Sequence, residues 1–328
     1  MVDVVTIGSA TRDIFLKSEY FKVEENPRSP TDKAIWLPLG AKIEVADLIF
    51  ETGGAATNAA VTFARQGLQT TCICRVGNDP GGKAIIGSLR REKVNTNLVV
   101  KDRKNYTGYS IILVTKAGER TILVYRGASS HFTQDLIPKE KLATKWLFIS
   151  SLAGNVDLLD KLLTWSDSQK INSAVIPGSA ELKKGAKALA PMFARAEVVI
   201  MNRQEAADLT GIDMAEKEKI VHKMCLLTKG VGVITDGPYG ATACDRQFLY
   251  HIGTHGNKAV ERTGAGDAFA SGFVAGLIKF GRIEGALELA ADNGSSVINY
   301  FGAKKGILHS GERPFKGRVK ITKEQISG

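Results

Sequence analysis

The sequence predicts an α/β protein: a central, mostly parallel sheet covered by helices on both faces, with a small β-sheet attached at one edge. Three observations carry this. From residue 146 onward, short apolar runs (WLFISS, SAVIP, EVVIMN, VGVITDG) alternate with helical patterns, the sequence form of a parallel sheet buried on both faces. Before that point, residues 13–20, 34–49 and 107–125 show mixed or alternating faces, which suits half-exposed strands. The length of 328 residues, 44% of them hydrophobic and 24% charged, is an ordinary globular composition able to bury a large core without staples.

The elements follow in order. VVTIG (4–8) is a buried opening strand. Residues 13–20 and 34–49 read as strands, separated by a polar loop over 24–32 that contains Pro27 and Pro30. Gly53-Gly54 opens a helix, AATNAAVTFARQ, which Gly67 stops. TTCICRVG is a strand, and residues 82–93 form a helix. GYSIILV and RTILVY make a hairpin with KAGE as its turn. Strands at 146–151, SAVIP, 197–202 and VGVITDG then alternate with helices at 156–170, 182–193 and RQEAADL. Apolar helices at 268–280 and 283–299 close the body.

Composition excludes several classes. No apolar run approaches the roughly 18 residues of a membrane span. The opening MVDVVTIGSATRD has no basic leader, so a secretory signal is not expected. Four cysteines (Cys72, Cys74, Cys225, Cys244) are too sparse for a disulfide scaffold, and reduced thiols in a cytoplasmic protein are the expectation. The net charge is +10, and half of it lies in residues 301–328. There Lys304, Lys305, Arg313, Lys316, Arg318, Lys320 and Lys323 face only Glu312 and Glu324. A basic surface suits phosphate-bearing substrates. No basic stretch is interleaved with aromatics, so nucleic acid is not expected as a partner.

The chemistry concentrates in TGAGDAFASGF, 263–273. Its glycines let the backbone turn tightly and expose N–H groups. The apolar helix that follows puts those groups at a helix N-terminus, where anions are favoured. Asp267 falls in the first turn, beside that anion site, where a general base for phosphoryl transfer belongs. As an ordinary aspartate with a pKa of about 3.9 it would be ionised at neutral pH.

Taken with other marks in the same order, this segment resembles the ribokinase-like (PfkB) carbohydrate kinases, whose signature is close to D-T-x-G-A-G-D. Gly8-Ser9 with Asp13, Gly53-Gly54 with Asn58, Gly77-Asp79-Gly82, Asn202 with Glu205, Thr235-Gly237-Gly240, and Gly302-Ala303 match family motifs over about residues 2–306. The resemblance implies a ribokinase-like fold, with a β-sheet lid from segments about 12–50 and 105–128 of a single domain spanning 1–328, and a basic C-terminal tail over 307–328. It implies transfer of the ATP γ-phosphoryl group to a hydroxyl of a sugar or sugar derivative, with Asp267 as base and the amides of Gly264, Ala265, Gly266 and Asp267 as anion hole. Asp13, Gly53, Gly54 and Asn58 would bind acceptor hydroxyls. Thr235, Gly237 and Gly240 would line the nucleotide phosphates, and Asn293 would lie near the adenine. Asn202 and Glu205 would organise Mg²⁺, largely through water. It also implies a homodimer formed through the lid. A nucleoside acceptor, or a non-catalytic sugar or nucleotide sensor on the same scaffold, are the alternatives. Asn202 could instead serve only as the N-cap of RQEAADL.

Departures from the pattern matter. Glu261-Arg262 replace the family's Asp-Thr, and that Asp helps bind a monovalent cation in potassium-dependent members, which puts K⁺ activation in doubt. The lysine typical of ribokinases is absent from GGAATN. Arg126, in YRGAS, resembles a segment of 2-keto-3-deoxygluconate kinases and could pair with a substrate carboxylate or phosphate. GNDPGGKA (77–84) spells most of a Walker A loop, but Ala84 replaces the metal-binding hydroxyl and Pro80 removes an amide. Cys72 and Cys74 share a strand face and read as core packing rather than a metal pair.

Overall fold

The computed structural model describes residues 2–29, 31–116, 119–138 and 142–326. In chain order the described strands are β1 (Val2–Ile7), β2 (Thr11–Lys17), β3 (Lys22–Glu25), β4 (Lys33–Trp36), β5 (Asp47–Gly53), β6 (Thr70–Ile73), β7 (Arg75–Gly77), β8 (Val100–Asp102), β9 (Gly108–Val114), β10 (Arg120–Tyr125), β11 (Thr144–Ile149), β12 (Asn172–Val175), β13 (Val198–Asn202), β14 (Val231–Thr235), β15 (Ala241–Cys244), β16 (Phe248–Ile252) and β17 (Ile321–Gln325). The helices are α1 (Ala55–Arg65), α2 (Pro80–Arg91), α3 (Val156–Ser168), α4 (Ser179–Leu182), α5 (Ala186–Phe193), α6 (Arg203–Thr210), α7 (Lys217–Leu227), α8 (Ala265–Phe280) and α9 (Ile283–Val297).

Among the described residues the main sheet has nine strands in the order β17-β16-β15-β14-β13-β12-β11-β1-β6. From β6 to β14 the pairs are parallel, and β15, β16 and β17 add an antiparallel edge. Consecutive residues of the parallel strands point to opposite faces, and both faces are apolar. Val5, Leu147 and Val199 pack with α3, α5, α6 and α7. Their sequence neighbours Val4, Phe148 and Val198 pack with α1, α8 and α9. Here the predicted architecture and the structure agree.

A separate four-stranded sheet, β10-β9-β2-β5, stands against this body. Its register puts Asp13, Phe15, Glu51, Ser110 and Ile112 on one face. That face docks through Phe15, Ile112 and Val114 on Phe301. The opposite face and the β10 edge leave Leu48, Phe50, Leu123 and Tyr125 exposed.

Several sequence readings change. The expected strand over 34–49 is two strands, β4 and β5, because Pro38 and Gly40 interrupt it and leave Leu39 wholly exposed. TTCICRVG divides between β6 in the main sheet and β7, which pairs with β8. The helix expected over 182–193 breaks at Gly185 (φ +80°) into α4 and α5. Helix α7 and strands β15 to β17 escape the sequence reading. Ala117 and Gly118 of the KAGE turn, and Pro30, lie outside the described residues.

Two larger corrections concern charge and cysteine. The basic tail is built into the fold: β17 closes the sheet edge beside β16. Arg313, Arg318 and Lys323 pair with Asp292, Glu288 and Glu284 at 3.4–3.6 Å. These acids are four residues apart on α9 and so form one stripe. Much of the tail's charge is therefore met internally rather than offered to a polyanion. Cys225 on α7 and Cys244 on β15 are joined as a disulfide, their Cα atoms 5.7 Å apart, against the expectation of reduced thiols throughout. Helix α7 packs across β14 and β15, which brings together residues 19 apart in sequence. Cys72 and Cys74 are free and buried.

Candidate active site

The site gathers where α1, α8 and the second sheet meet. Helix α1 starts only because Gly54 accepts φ +95°, with the chain at Ser9-Ala10 pressed against it. A Cβ on Gly54 would lie 2.5 Å from Ala10 Cα, so no other residue fits. The second close approach is at Gly264, the αL residue (φ +80°) before α8. A Cβ there would lie 2.7 Å from Ala303 Cα. The two motifs thus lock the start of each helix against a different loop.

These starts bring Asn58 and Asp267, 209 residues apart, into contact: Asn58 Nδ2 donates to Asp267 Oδ2 at 2.8 Å. Asn58 is 3% exposed, and its Oδ1 is buried with no partner. A buried orphan acceptor is costly unless something fills it. Ala268 is the first residue of α8 to donate back into the turn, to Gly264 O at 2.8 Å, and Ala265 N reaches Arg262 O at 3.3 Å. The N–H groups of Gly266 and Asp267 are left without helical partners. A Cβ on Gly266 would meet nothing within 4 Å, so this glycine borders open space rather than packed protein.

Electrostatics here depart from the sequence expectation. Burial pushes the Asp267 carboxyl above its ordinary value, and the Asn58 hydrogen bond and Lys304 only partly oppose this. Asp13, 3% exposed on β2, is also raised, again chiefly by burial, with Lys304, Ser110 and Thr11 opposing. Asp267 is therefore not the unperturbed carboxylate its sequence context suggested, and Asp13 shifts in the same direction.

Lys304 is the residue sequence reasoning missed. Counted as tail charge, it is instead 7% exposed beneath the site. Its Nζ donates to Thr52 O at 2.6 Å and Thr57 Oγ1 at 2.9 Å. Burial lowers its pKa to about 8 despite the nearby carboxylates. Adjacent matches to Gly302-Ala303 placed it near a motif, but nothing in KKG distinguishes a buried lysine from a solvated one.

Glu261 is also buried. Its Oε1 accepts from Thr263 N (2.8 Å) and Thr263 Oγ1 (2.6 Å) and pairs with Arg120 of β10 at 3.2 Å, while its Oε2 has no partner. Arg120 thereby ties the second sheet to the turn before α8. Arg126 is exposed just past β10.

The nucleotide candidates lie elsewhere, at the carboxyl ends of β13 and β14, where ligands sit in open α/β sheets. Asn202 and Thr235 are register partners. Asn202 caps α6: its Oδ1 accepts from Glu205 N at 2.8 Å, and Glu205 Oε2 accepts from Asn202 N at 2.9 Å, a reciprocal capping box. The Asn202 oxygen takes part in that cap, and its NH₂ is a donor suited to a phosphate. Glu205 keeps one uncommitted oxygen, and its carboxyl is raised by burial. Gly237 (φ +53°) and Gly240 (φ +86°) frame a short turn. Between them and β14, Asp236 is held by Arg203 (3.1 Å) and Lys217 (3.6 Å), a cluster the sequence reading did not identify.

One expected residue, Asn293, is not where the sequence put it. Asn293 is completely buried. Its Nδ2 donates to Ala268 O at 2.7 Å and its Oδ1 accepts from Leu308 N at 2.9 Å. It fastens α9 to α8 and has no free group for an adenine. The near-Walker loop is not a phosphate cradle. Asp79 caps α2 through Gly82 N (2.8 Å) and binds Thr107 N and Oγ1 (2.7 Å each), and Lys83 is exposed on the helix.

Comparison with known proteins agrees with the fold. Residues 1–309 match the pfkB family carbohydrate kinase model. The chain is similar to a fructokinase from Klebsiella pneumoniae (28% identical, 73% of this chain and 81% of that protein). It is also similar to a ribokinase from Staphylococcus aureus (24%, 78% and 84%). The crystal structure of Cryptococcus neoformans ribokinase in complex with ADP superposes with a TM-score of 0.75 at 20% identity, covering 94% of this chain and 97% of that one. The chain belongs to the pfkB family of carbohydrate kinases. It is accordingly a carbohydrate kinase of ribokinase-like fold. Among the described residues no helix is long and apolar enough to cross a membrane.

Proposed function

We propose that the cleft between the second sheet and α8 transfers the γ-phosphoryl group of ATP to a primary hydroxyl of a sugar. The observation that carries this is the Asn58–Asp267 hydrogen bond of 2.8 Å beside the unpartnered Asn58 Oδ1. Together they set a carboxylate beside a buried acceptor that still lacks a donor, the pairing a substrate hydroxyl would complete. In this reading the acceptor hydroxyl donates to Asp267 Oδ1. As its oxygen bonds to the γ-phosphorus, the bond from that phosphorus to the β,γ-bridging oxygen breaks. The hydroxyl proton passes to Asp267, and ADP leaves. The amides of Gly264, Gly266 and Asp267 receive the charge on the transferring group. Ala265 contributes through shape, since its N–H is directed to Arg262 O. A base raised above the usual aspartate range is better matched to a working pH near neutral than an unshifted one.

Asp13 and Asn58 fix acceptor hydroxyls over Gly53 and Gly54, and Arg126, whose side chain has no ion-pair partner among the described residues, reaches any anionic substituent. Thr235, Gly237, Gly240 and the Asn202 amide line the nucleotide phosphates. The free oxygen of Glu205, with water, fits Mg²⁺, which keeps much of its hydration; when bound, that ion neutralises phosphate charge. Arg120 already supplies a cation to Glu261, so the reading does not include a K⁺ requirement. The four-stranded sheet serves as lid and, through its exposed outer face at Leu48, Phe50, Leu123 and Tyr125, as the contact with a second copy. A cytoplasmic location goes with these substrates.

A panel of sugars, sugar acids and nucleosides, each with Mg-ATP and ADP release measured, tests the reading. Turnover with a sugar supports it. Turnover only with a nucleoside moves the acceptor class, and ADP from none, with acceptor binding retained, makes the protein a sensor.

A further inference from the structure

Lys304 is not one of the groups expected to touch substrate, yet it sits at the hub of those that do. It follows Ala303, which presses on Gly264 at the anion turn. Its ammonium bonds Thr52, the residue before Gly53, and Thr57, the residue before Asn58. Gly53 lies directly under the Asp13 carboxylate, and Asn58 holds Asp267. One buried cation thus joins the Thr52 carbonyl on one side of the Gly-Gly turn to the Thr57 hydroxyl on the other, one residue from each group that orients a carboxylate. Burying an unpaired ammonium costs heavily. It makes no direct ion pair among the described residues, so the compensation comes from the two hydrogen bonds and the field of the carboxylates around it.

Resting on the kinase reading, we infer that Lys304 is a positioning residue for phosphoryl transfer: its buried charge faces Asp267 and Asp13 while its hydrogen bonds to Thr52 O and Thr57 Oγ1 hold the Gly-Gly turn against the anion turn. The groups facing it are Asp13 on β2, Glu51 on β5, Cys72 on β6 and Asp267 on α8. Glu261 acts on the same cluster through Asp13, and Glu92, paired with Arg65, feels Lys304 from the end of α2. The mutual influence of Lys304 with Asp13 and with Asp267 is the favourable direction in every case. A lysine serving only to fill space would need neither partner.

The test replaces Lys304 in the full chain by Met, which keeps length and loses charge. Aspartate ¹³Cγ NMR of the ligand-free protein, with Asp267 and Asp13 assigned through D267N and D13N, should show both midpoints rising by about one pH unit or more in K304M. With the sugar found by the acceptor panel, the acid limb of kcat/KM should move up equally, so the loss approaches about tenfold at pH values below both midpoints and fades above them. Unmoved midpoints, or a loss uniform across pH, would overturn the proposal and leave Lys304 a structural clamp. Should K304M not fold, wild-type protein labelled at lysine ¹³Cε gives the same decision. One lysine should titrate near pH 8 with turnover falling through that midpoint, and flat turnover would overturn the proposal. Absence of turnover in the wild type sinks the kinase reading alone, because the NMR arm needs no substrate.

Discussion

On the side proposed for the acceptor, Asp13, Asn58 and Lys304 are each under a tenth exposed and their partners come from β2, β5, α1, α8 and the 302–308 loop. On the nucleotide side, Asn202 stands exposed at a helix cap and Gly237 and Gly240 make a short turn with Tyr239 in water. The first side is built of side chains whose charges burial has set. The second offers backbone amides and a capping pair, which bind anions by geometry with little desolvation. Substitutions should therefore be severe on the first side and mild on the second.

The largest effect is expected at Asp267. Asn is nearly isosteric and can still meet Asn58 by presenting its amide oxygen, so D267N should keep the fold and both KM values within a few fold. Losing the base should lower kcat by about 10²–10⁴-fold. Retention of more than half the wild-type kcat, with chemistry shown to be rate-limiting, removes Asp267 from the mechanism. Next comes D13A, which should raise the acceptor KM by about tenfold or more, because it strands a substrate hydroxyl at a buried position. ATP affinity should hold; a matching loss there would put Asp13 on the wrong side of the comparison.

The pH behaviour sharpens the same contrast. Asp267 and Asp13 have folded pKa values raised above 3.8, so each binds more protons folded than unfolded between 3.8 and its raised value. Stability then falls as pH rises through that window. Turnover goes the other way, since the base works only when ionised. Denaturant melts and kcat/KM over the acid range should show these opposite slopes, and D267N should flatten the stability slope. Parallel slopes would mean that the carboxyls are not raised.

How much of this was legible in sequence follows the same division. The turns were readable because glycine and small residues signal backbone geometry locally: Gly53-Gly54 and GAGD each mark a helix start, and Gly67 a helix end. The parallel core was readable because both faces of each strand are apolar. The charge state of the site was not. Asp267 is raised by burial that only the assembled fold creates, with Asn58 on α1 and Lys304 in the 302–308 loop partly opposing it, and Lys304 looked like one more tail cation. Asn293 read as a ligand contact, although its partners, Ala268 O and Leu308 N, lie 25 and 15 residues away. Helix α7 did carry a usable signal, Ile220, Val221, Met224 and Cys225 on one face.

Milder effects belong to the nucleotide side. E205Q keeps a capping oxygen for Asn202 N but removes charge from the candidate metal contact, so the Mg²⁺ concentration for half-maximal rate should rise several-fold while kcat at saturation changes little. Lys83, exposed on α2, should be dispensable: K83A is expected to leave kcat within about threefold, where a true Walker lysine would cost far more. Abolished turnover in K83A would make the 77–84 loop the phosphate site and reverse the assignment of the two sides.

The smallest expected effect is that of K⁺. The carboxylate of Glu261 is buried, and a buried carboxylate needs compensating charge and donors. Thr263 supplies two hydrogen bonds to Oε1 and Arg120 a guanidinium at 3.2 Å. A guanidinium remains protonated throughout the working range, so this carboxylate does not depend on an ion from solvent. Replacing KCl by choline chloride at equal ionic strength should change kcat by less than about twofold, since screening of exposed charges is kept the same. The partnerless Oε2 of Glu261 makes the variant informative. In R120Q the carboxylate loses its cation while Thr263 stays, and a monovalent ion gains a vacant negative site. Turnover of R120Q should then be lower in choline than in KCl, with the difference absent from the wild type. A wild-type enzyme already stimulated strongly by K⁺ would show that Arg120 does not stand in for the ion, and that the link between the second sheet and the anion turn serves the lid alone.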